Sequence, residues 1–184
     1  MNTKNEKIKF FVDHSIESLK LKDLLWTSDP NVPDNMKNLE MEDKNNWFSW
    51  KAIESIINEN ELNELEKRIG LRYPLLYKEF LLYKHFYRVE KIKGVEFFSH
   101  KSNNWKSDLI KQYKMQEPEI TIKKGFIPFG FLEGGKNVCF DTNDNLKIIS
   151  IFYDTNLGIE PKIEILFSDF ESMIDVYAME NKST

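Results

Sequence analysis

Cys139 and the three histidines, His14, His85 and His100, are the side chains of this 184-residue chain whose types most directly suggest catalysis. Nucleophilic catalysis by cysteine requires a thiolate, and a histidine beside it commonly takes the proton. Cys139 could in principle pair with any of the three. It lies between Val138 and Phe140 in an apolar, strand-like run, where a structural thiol is the default. The histidines show no H-x-x-x-H spacing of the kind that holds zinc. A lone cysteine also excludes an internal disulfide and a CxxC redox pair. A Cys139-dependent enzyme is therefore kept only as a minor alternative.

Two segments imitate ligand loops. Gly130, Gly135 and Lys136 match a phosphate-binding loop, but Asn137 stands where its Ser or Thr hydroxyl should meet Mg²⁺. That loop must also open a helix, so that backbone N–H groups face the phosphates, whereas Val138-Cys139-Phe140-Asp141 reads as a strand. Asp141, Asn143 and Asn145 have the spacing of the first three calcium ligands of an EF-hand loop, but Leu146 replaces its glycine and Phe152 its closing glutamate. Hairpin turns account for both segments, and neither a metal nor a cofactor is expected. A basic stretch from Lys101 to Lys124 contains Trp105 and Tyr113, which could stack on a single strand of nucleic acid. The helical spacing of these rings with Leu109 points to a core instead, so no nucleic-acid partner is expected.

These residues must be positioned by a chain that is 41% hydrophobic, 14% aromatic and 30% charged, a globular composition. There is no run of 18 apolar residues and no apolar signal segment at the N-terminus, so a cytoplasmic protein without membrane contact is expected. The formal net charge of −4 is unevenly spread. Residues 85–125 hold 9 Lys/Arg and 5 Asp/Glu, and residues 126–184 hold 4 and 10. An acidic last third favours a basic protein partner over a phosphate backbone.

Apolar periodicity predicts a helix over 5–25 through Ile8, Phe11, Val12, Ile16 and Leu19. A polar stretch over 27–46 with Pro30 and Pro33 reads as a linker. Asn58 with Glu61 forms a capping box for a helix that stops at Gly70. Pro74 then opens another helix, running to about Lys84. Strands are expected near 86–92, 95–99, 126–132, 137–141, 147–153 and 162–167, with hairpin turns at Gly94, Gly134-Gly135 and Asn143-Asp144-Asn145. Helices are expected over 104–115 and 168–179, the last with Ser168 and Glu171 as its capping pair. The predicted fold is α+β: a single domain with an antiparallel-rich sheet of about six strands, helices mainly on one face, and an N-terminal helical extension.

The run from Trp47-Phe48-Ser49-Trp50 through the Asn58–Gly70 helix to Tyr73-Pro74 and Tyr77-Lys78-Glu79-Phe80-Leu81 resembles the opening of the SUKH superfamily. The likeness continues at Phe126-Ile127-Pro128-Phe129-Gly130, Asn137-Val138-Cys139-Phe140-Asp141 and Phe167-Ser168-Asp169-Phe170-Glu171. The chain departs from the family at Tyr73, where leucine is usual, and at Lys84-His85-Phe86-Tyr87, where Asn-Gly is frequent. The N-terminal helix and polar linker over 1–46 lie outside the resemblance, which implies a SUKH-like α+β domain over 47–180. It also implies a non-enzymatic protein-binding role. Bacterial relatives are immunity proteins that block a toxin domain, often a nuclease, and fungal relatives regulate cell-wall assembly. A cognate toxin domain, basic in charge, is the expected partner, and a regulatory scaffold with an endogenous partner is the alternative. Turns on a rigid sheet can vary without unfolding the core. The expected partner-binding residues are accordingly Glu133, Asp141, Asp144, Asp154, Glu160 and Glu164.

Overall fold

The structure is a computed structural model that describes residues 3–41, 45–154 and 159–181. Local chemistry sets its helix ends. Asn58 Oδ1 accepts from the backbone N–H of Asn60 at 3.0 Å and Glu61 at 3.2 Å, while Glu61 returns a carboxylate oxygen to Asn58 N–H at 3.0 Å. This closes the expected capping box over α2 (Glu59–Ile69). Gly70 ends the helix at φ +74°, a conformation that costs glycine nothing. Pro74 precedes α3 (Leu75–Tyr83), and α1 (Thr3–Leu21) and α4 (Trp105–Met115) fall close to their predicted spans. The last helix, α5 (Phe170–Asn181), is capped one residue later than expected. Asp169 Oδ1 accepts from Ser172 N–H at 2.7 Å, and Ser172 Oγ accepts from Asp169 N–H at 3.2 Å. A carboxylate complements the positive end of a helix dipole better than a hydroxyl does, which favours Asp169 over Ser168.

The main sheet is an antiparallel meander of five strands, in the order β5 (Glu96–Phe97), β6 (Phe126–Leu132), β7 (Lys136–Asp141), β8 (Lys147–Asp154), β9 (Ile159–Phe167). The sixth expected strand, 86–92, is absent from it. Phe86, Val89 and Ile92 are the buried residues there, a period of three that cannot serve a ladder with side chains alternating every two. Phe86 and Ile92 instead make isolated bridges to His100 and Val95. Two small pairs complete the strands: β1 (Trp26–Thr27) with β2 (Phe48–Ser49), and β3 (Ile53–Glu54) with β4 (Lys84–His85).

Alternation along the strands divides the sheet into two faces. Ile127, Phe129, Val138, Phe140 and Ile148 join the large core beneath α1, α3 and α5. Phe129 and Phe140 stack at 4.2 Å, and Phe170 of α5 meets Tyr77, Phe80 and Phe140 edge-on at 5.4, 5.8 and 5.8 Å. The other face carries a smaller cluster of Phe126, Cys139, Ile149 and Ile151, with Ile120 and Tyr153 against it. The large core also takes in the N-terminal region. Ile8, Phe11 and Val12 of α1 are fully buried, and Phe11 lies 5.6 Å from Phe97 and 4.8 Å from Tyr177. Within the stretch expected to be a linker, Val32 and Met36 are buried as well.

Candidate functional site

Cys139 and the histidines do not assemble. The thiol is fully buried in the small cluster, and burial, with a lesser contribution from Asp141, pushes it well above the ordinary thiol range. It is a neutral packing group at any ordinary pH. His14 Nδ1 is 2.8 Å from the hydroxyl of Tyr177. The rings of His85 and His100 lie 4.6 Å apart, tilted by 36°, inside the molecule. The backbone N–H of Ile56 donates to His85 Nε2 at 3.2 Å, so His85 Nδ1 carries the proton it shares with His100 O. His100 Nε2 donates to Leu81 O at 2.9 Å, and its Nδ1 has no protein partner. Both rings are thereby held neutral. Burial, together with the neighbouring His85, lowers His100 to about 3.

The loop-like motifs are spent on structure. Gly130 sits in β6 where a Cβ would lie 2.3 Å from Glu96 O, so glycine is needed for the close approach of β5 and not for a phosphate. Gly134 and Gly135, at φ +80° and +76°, turn the chain directly into β7. Asp141 Oδ1 accepts from Asn143 N–H at 2.9 Å, and Asn143 Nδ2 donates to Lys124 O at 2.8 Å. These side chains brace the turn at Gly125 rather than converge on a cation. Among the described residues no cluster of three His, Cys, Asp or Glu has metal-binding geometry. No helix among them is long and apolar enough to cross a membrane. In the basic stretch, Trp105 and Tyr113 are buried, Lys101 binds Asp29 and Asp108, both at 3.2 Å, and Lys106 binds Glu64 at 2.8 Å.

The acidic residues of the last third are distributed by the meander. Several face lysines from earlier in the chain: Lys7 bridges Glu171 and Asp175 at 3.0 and 2.7 Å, and Lys93 meets Glu180. The six candidate residues then fall into separate positions. Glu133 is exposed in the β6–β7 turn. Asp154 ends β8 on the same side of the sheet, and its side chain lies outside the described residues. Asp141 and Asp144 flank the β7–β8 turn at the opposite side, about 20 Å away at roughly 3.3 Å per strand residue. Asp144 there faces Lys147 at 2.7 Å. Glu160 and Glu164 lie on β9, the last strand of the sheet, with Glu164 3.2 Å from Lys136.

Sequence reasoning missed the apolar part of β9. Ile163 is 50% and Ile165 64% exposed, both on the face of the small cluster, opposite Ile151 and Ile149 of β8. The signal was present in the alternation Lys162-Ile163-Glu164-Ile165, but alternation alone does not tell an edge strand from a central one.

A search among curated proteins finds no match to the chain. The model of the SMI1 / KNR4 family (SUKH-1) matches residues 56–176, from just before α2 into α5, leaving α1 outside. Its span takes in all six candidate acidic residues and the whole main sheet, and the chain belongs to the SMI1 / KNR4 family (SUKH-1).

Proposed function

We propose that the protein is a non-enzymatic immunity protein that binds and neutralises one cognate toxin domain in the cytoplasm, without a cofactor. The family match carries this reading, because the family supports an immunity-like or regulatory protein-binding role. The buried, neutral Cys139 agrees with it, since the most reactive side chain type in the sequence is placed where it cannot act.

A basic toxin domain such as a nuclease would meet acidic turns standing on a rigid sheet. A typical interface of about 800 Å² per partner is roughly 30 Å across, so one partner could cover Glu133 at one side and Asp141 with Asp144 at the other. Exposed charges at such a rim set the association rate, and buried apolar anchors set the lifetime. The direct test is co-expression with the terminal domain of a secreted protein encoded beside this chain. Rescue of growth together with a stable complex is expected. Killing that is equal with and without the protein removes immunity to that domain, and binding without rescue points to a regulatory scaffold.

A further inference from the structure

The two edges of the main sheet differ. β5 is two residues long, whereas β9 is nine and presents Ile163 and Ile165 to solvent. A long edge strand leaves backbone N–H and C=O groups open to another strand, and charge, proline and bulges along it limit where such pairing can occur. Here the regular part is confined. Register with β8 is continuous only from Ile165 to Lys162, with irregularities on both sides and Pro161 next to one of them. What is left open is the segment Lys162-Ile163-Glu164-Ile165.

The geometry points to a second copy of this chain as the occupant of that edge, paired antiparallel through β9 about a two-fold axis at Ile163. Residues directly opposite in an antiparallel pair share a face, so a two-fold axis must centre on a residue and not between two. Centring on Ile163 places Ile163 against Ile163 and Lys162 against Glu164 twice, and sets Ile165 against Pro161. Centring on Glu164 would oppose two carboxylates, and centring on Lys162 two ammonium groups. Of the registers centred within the regular segment Lys162–Ile165, only the Ile163 one puts opposite charges together on one face and apolar residues on the other, which is the pairing that stabilises adjacent strands. The interface is isologous and closes at two copies, and the flanking irregularities keep it from extending further. Glu164 then belongs to the seam between copies. Glu133, Asp141 and Asp144, on turns away from the axis, stay open to a different partner.

Sedimentation equilibrium of the full chain over a range of concentrations tests the pairing. A concentration-dependent dimer is expected. Lys162→Glu and Glu164→Lys should each weaken it about tenfold, because two opposite-charge pairs become like-charge pairs. The double variant Lys162→Glu/Glu164→Lys should regain the dimer, since the swap preserves complementarity in this register and in no other. Ile163→Lys should abolish it. These side chains are exposed, and circular dichroism would confirm that each variant folds. A wild-type chain that stays monomeric at every concentration overturns the proposal. So does a dimer indifferent to Ile163→Lys, or a double variant no better than the singles. Amide exchange of wild-type β9, slower at high than at low concentration, is expected independently of any variant, and equal rates would overturn the proposal too.

Discussion

On the helix side of the main sheet, Phe129 and Phe140 lie stacked beneath Phe170, itself edge-on to three further rings from α3 and β5. On the other side the cluster is only Phe126, Cys139, Ile149 and Ile151, and it gives way at β9 to two exposed isoleucines. The same strands, through alternate residues, thus build a closed aromatic core and a thin apolar face that ends in solvent. Large rings from six elements, α1 among them, meet on the first face, so its geometry is over-determined and leaves no room for variation. The second face ends on Ile163 and Ile165, exposed to solvent among the described residues. Fold is specified on one side of the sheet, and association is available at the rim of the other.

The largest effects should come from the aromatic face. Phe170→Ala removes a ring that is 1% exposed and should cost about 3–5 kcal/mol in urea unfolding. Ile165→Ala, at 64% exposure, should stay within about 0.5 kcal/mol when measured on the monomer. Equal costs would break the contrast between the faces. Phe11→Ala sharpens it. α1 lies outside the family match yet places Phe11 in the same ring cluster, so the cost should again be about 3–5 kcal/mol. A cost below about 1 kcal/mol would mean that α1 is a detachable extension.

Thiol labelling asks whether the thin face is nonetheless closed where it carries Cys139. A fully buried thiol with no activating base should react with a neutral-pH disulfide reagent about a thousandfold more slowly than in urea, because reaction waits on opening of the fold. Rapid labelling of the native protein would show that the cluster is open, and would return Cys139 to the candidate nucleophiles.

Much of the helix-side architecture was legible because its signals are local. The Asn58–Glu61 box, Gly70, Pro74 and the glycine turns each act within four residues, and the structure bears them out. The elements that sequence missed depend on distant partners. Residues 86–92 have strand-like composition, but their burial period of three is set by what Phe86, Val89 and Ile92 pack against. Val32 and Met36 become core only because the 27–41 segment folds back under Trp50, and no period marks that in advance. Each candidate acidic residue was placed on a turn or strand from local pattern. Which of them share one side of the sheet follows from the meander, and the apolar edge beside them from β9 being the last strand.

The paired histidines give the aromatic side a pH limit. In the unfolded chain His100 takes up a proton near its ordinary value of 6.5, while in the folded protein it stays neutral down to about 3. Its contribution is therefore complete above pH 6.5 and is lost as pH falls through that value towards 3. His85, also lowered by burial, acts in the same direction. Between pH 7 and pH 5 the single group His100 should remove about 2 kcal/mol of stability in urea titrations. His100→Gln should flatten the pH dependence in that window, whatever it does to stability at pH 7. A slope unchanged by the substitution would remove His100 as its cause.

The smallest effects on the fold, and the most informative for function, belong to the turns. Glu133→Lys and Asp144→Lys alter exposed or half-exposed side chains, and each should leave unfolding free energy within about 0.5 kcal/mol of wild type. Toward a basic toxin domain, each reversal that touches the docking rim should slow association several-fold at low salt and much less near 0.5 M salt, where screening shortens the reach of surface charges. Because the two positions sit at opposite sides of the sheet, their single variants resolve the footprint. Slowing by both means one partner spans the sheet. Slowing by Glu133→Lys alone confines it to the side where the β6–β7 turn lies. Slowing by Asp144→Lys alone moves it to the side braced by Lys124 and Asn143, where lysines already dilute the acidic field. A low-salt rate unchanged by either reversal, with dissociation also unchanged, would take the partner off the acidic turns altogether.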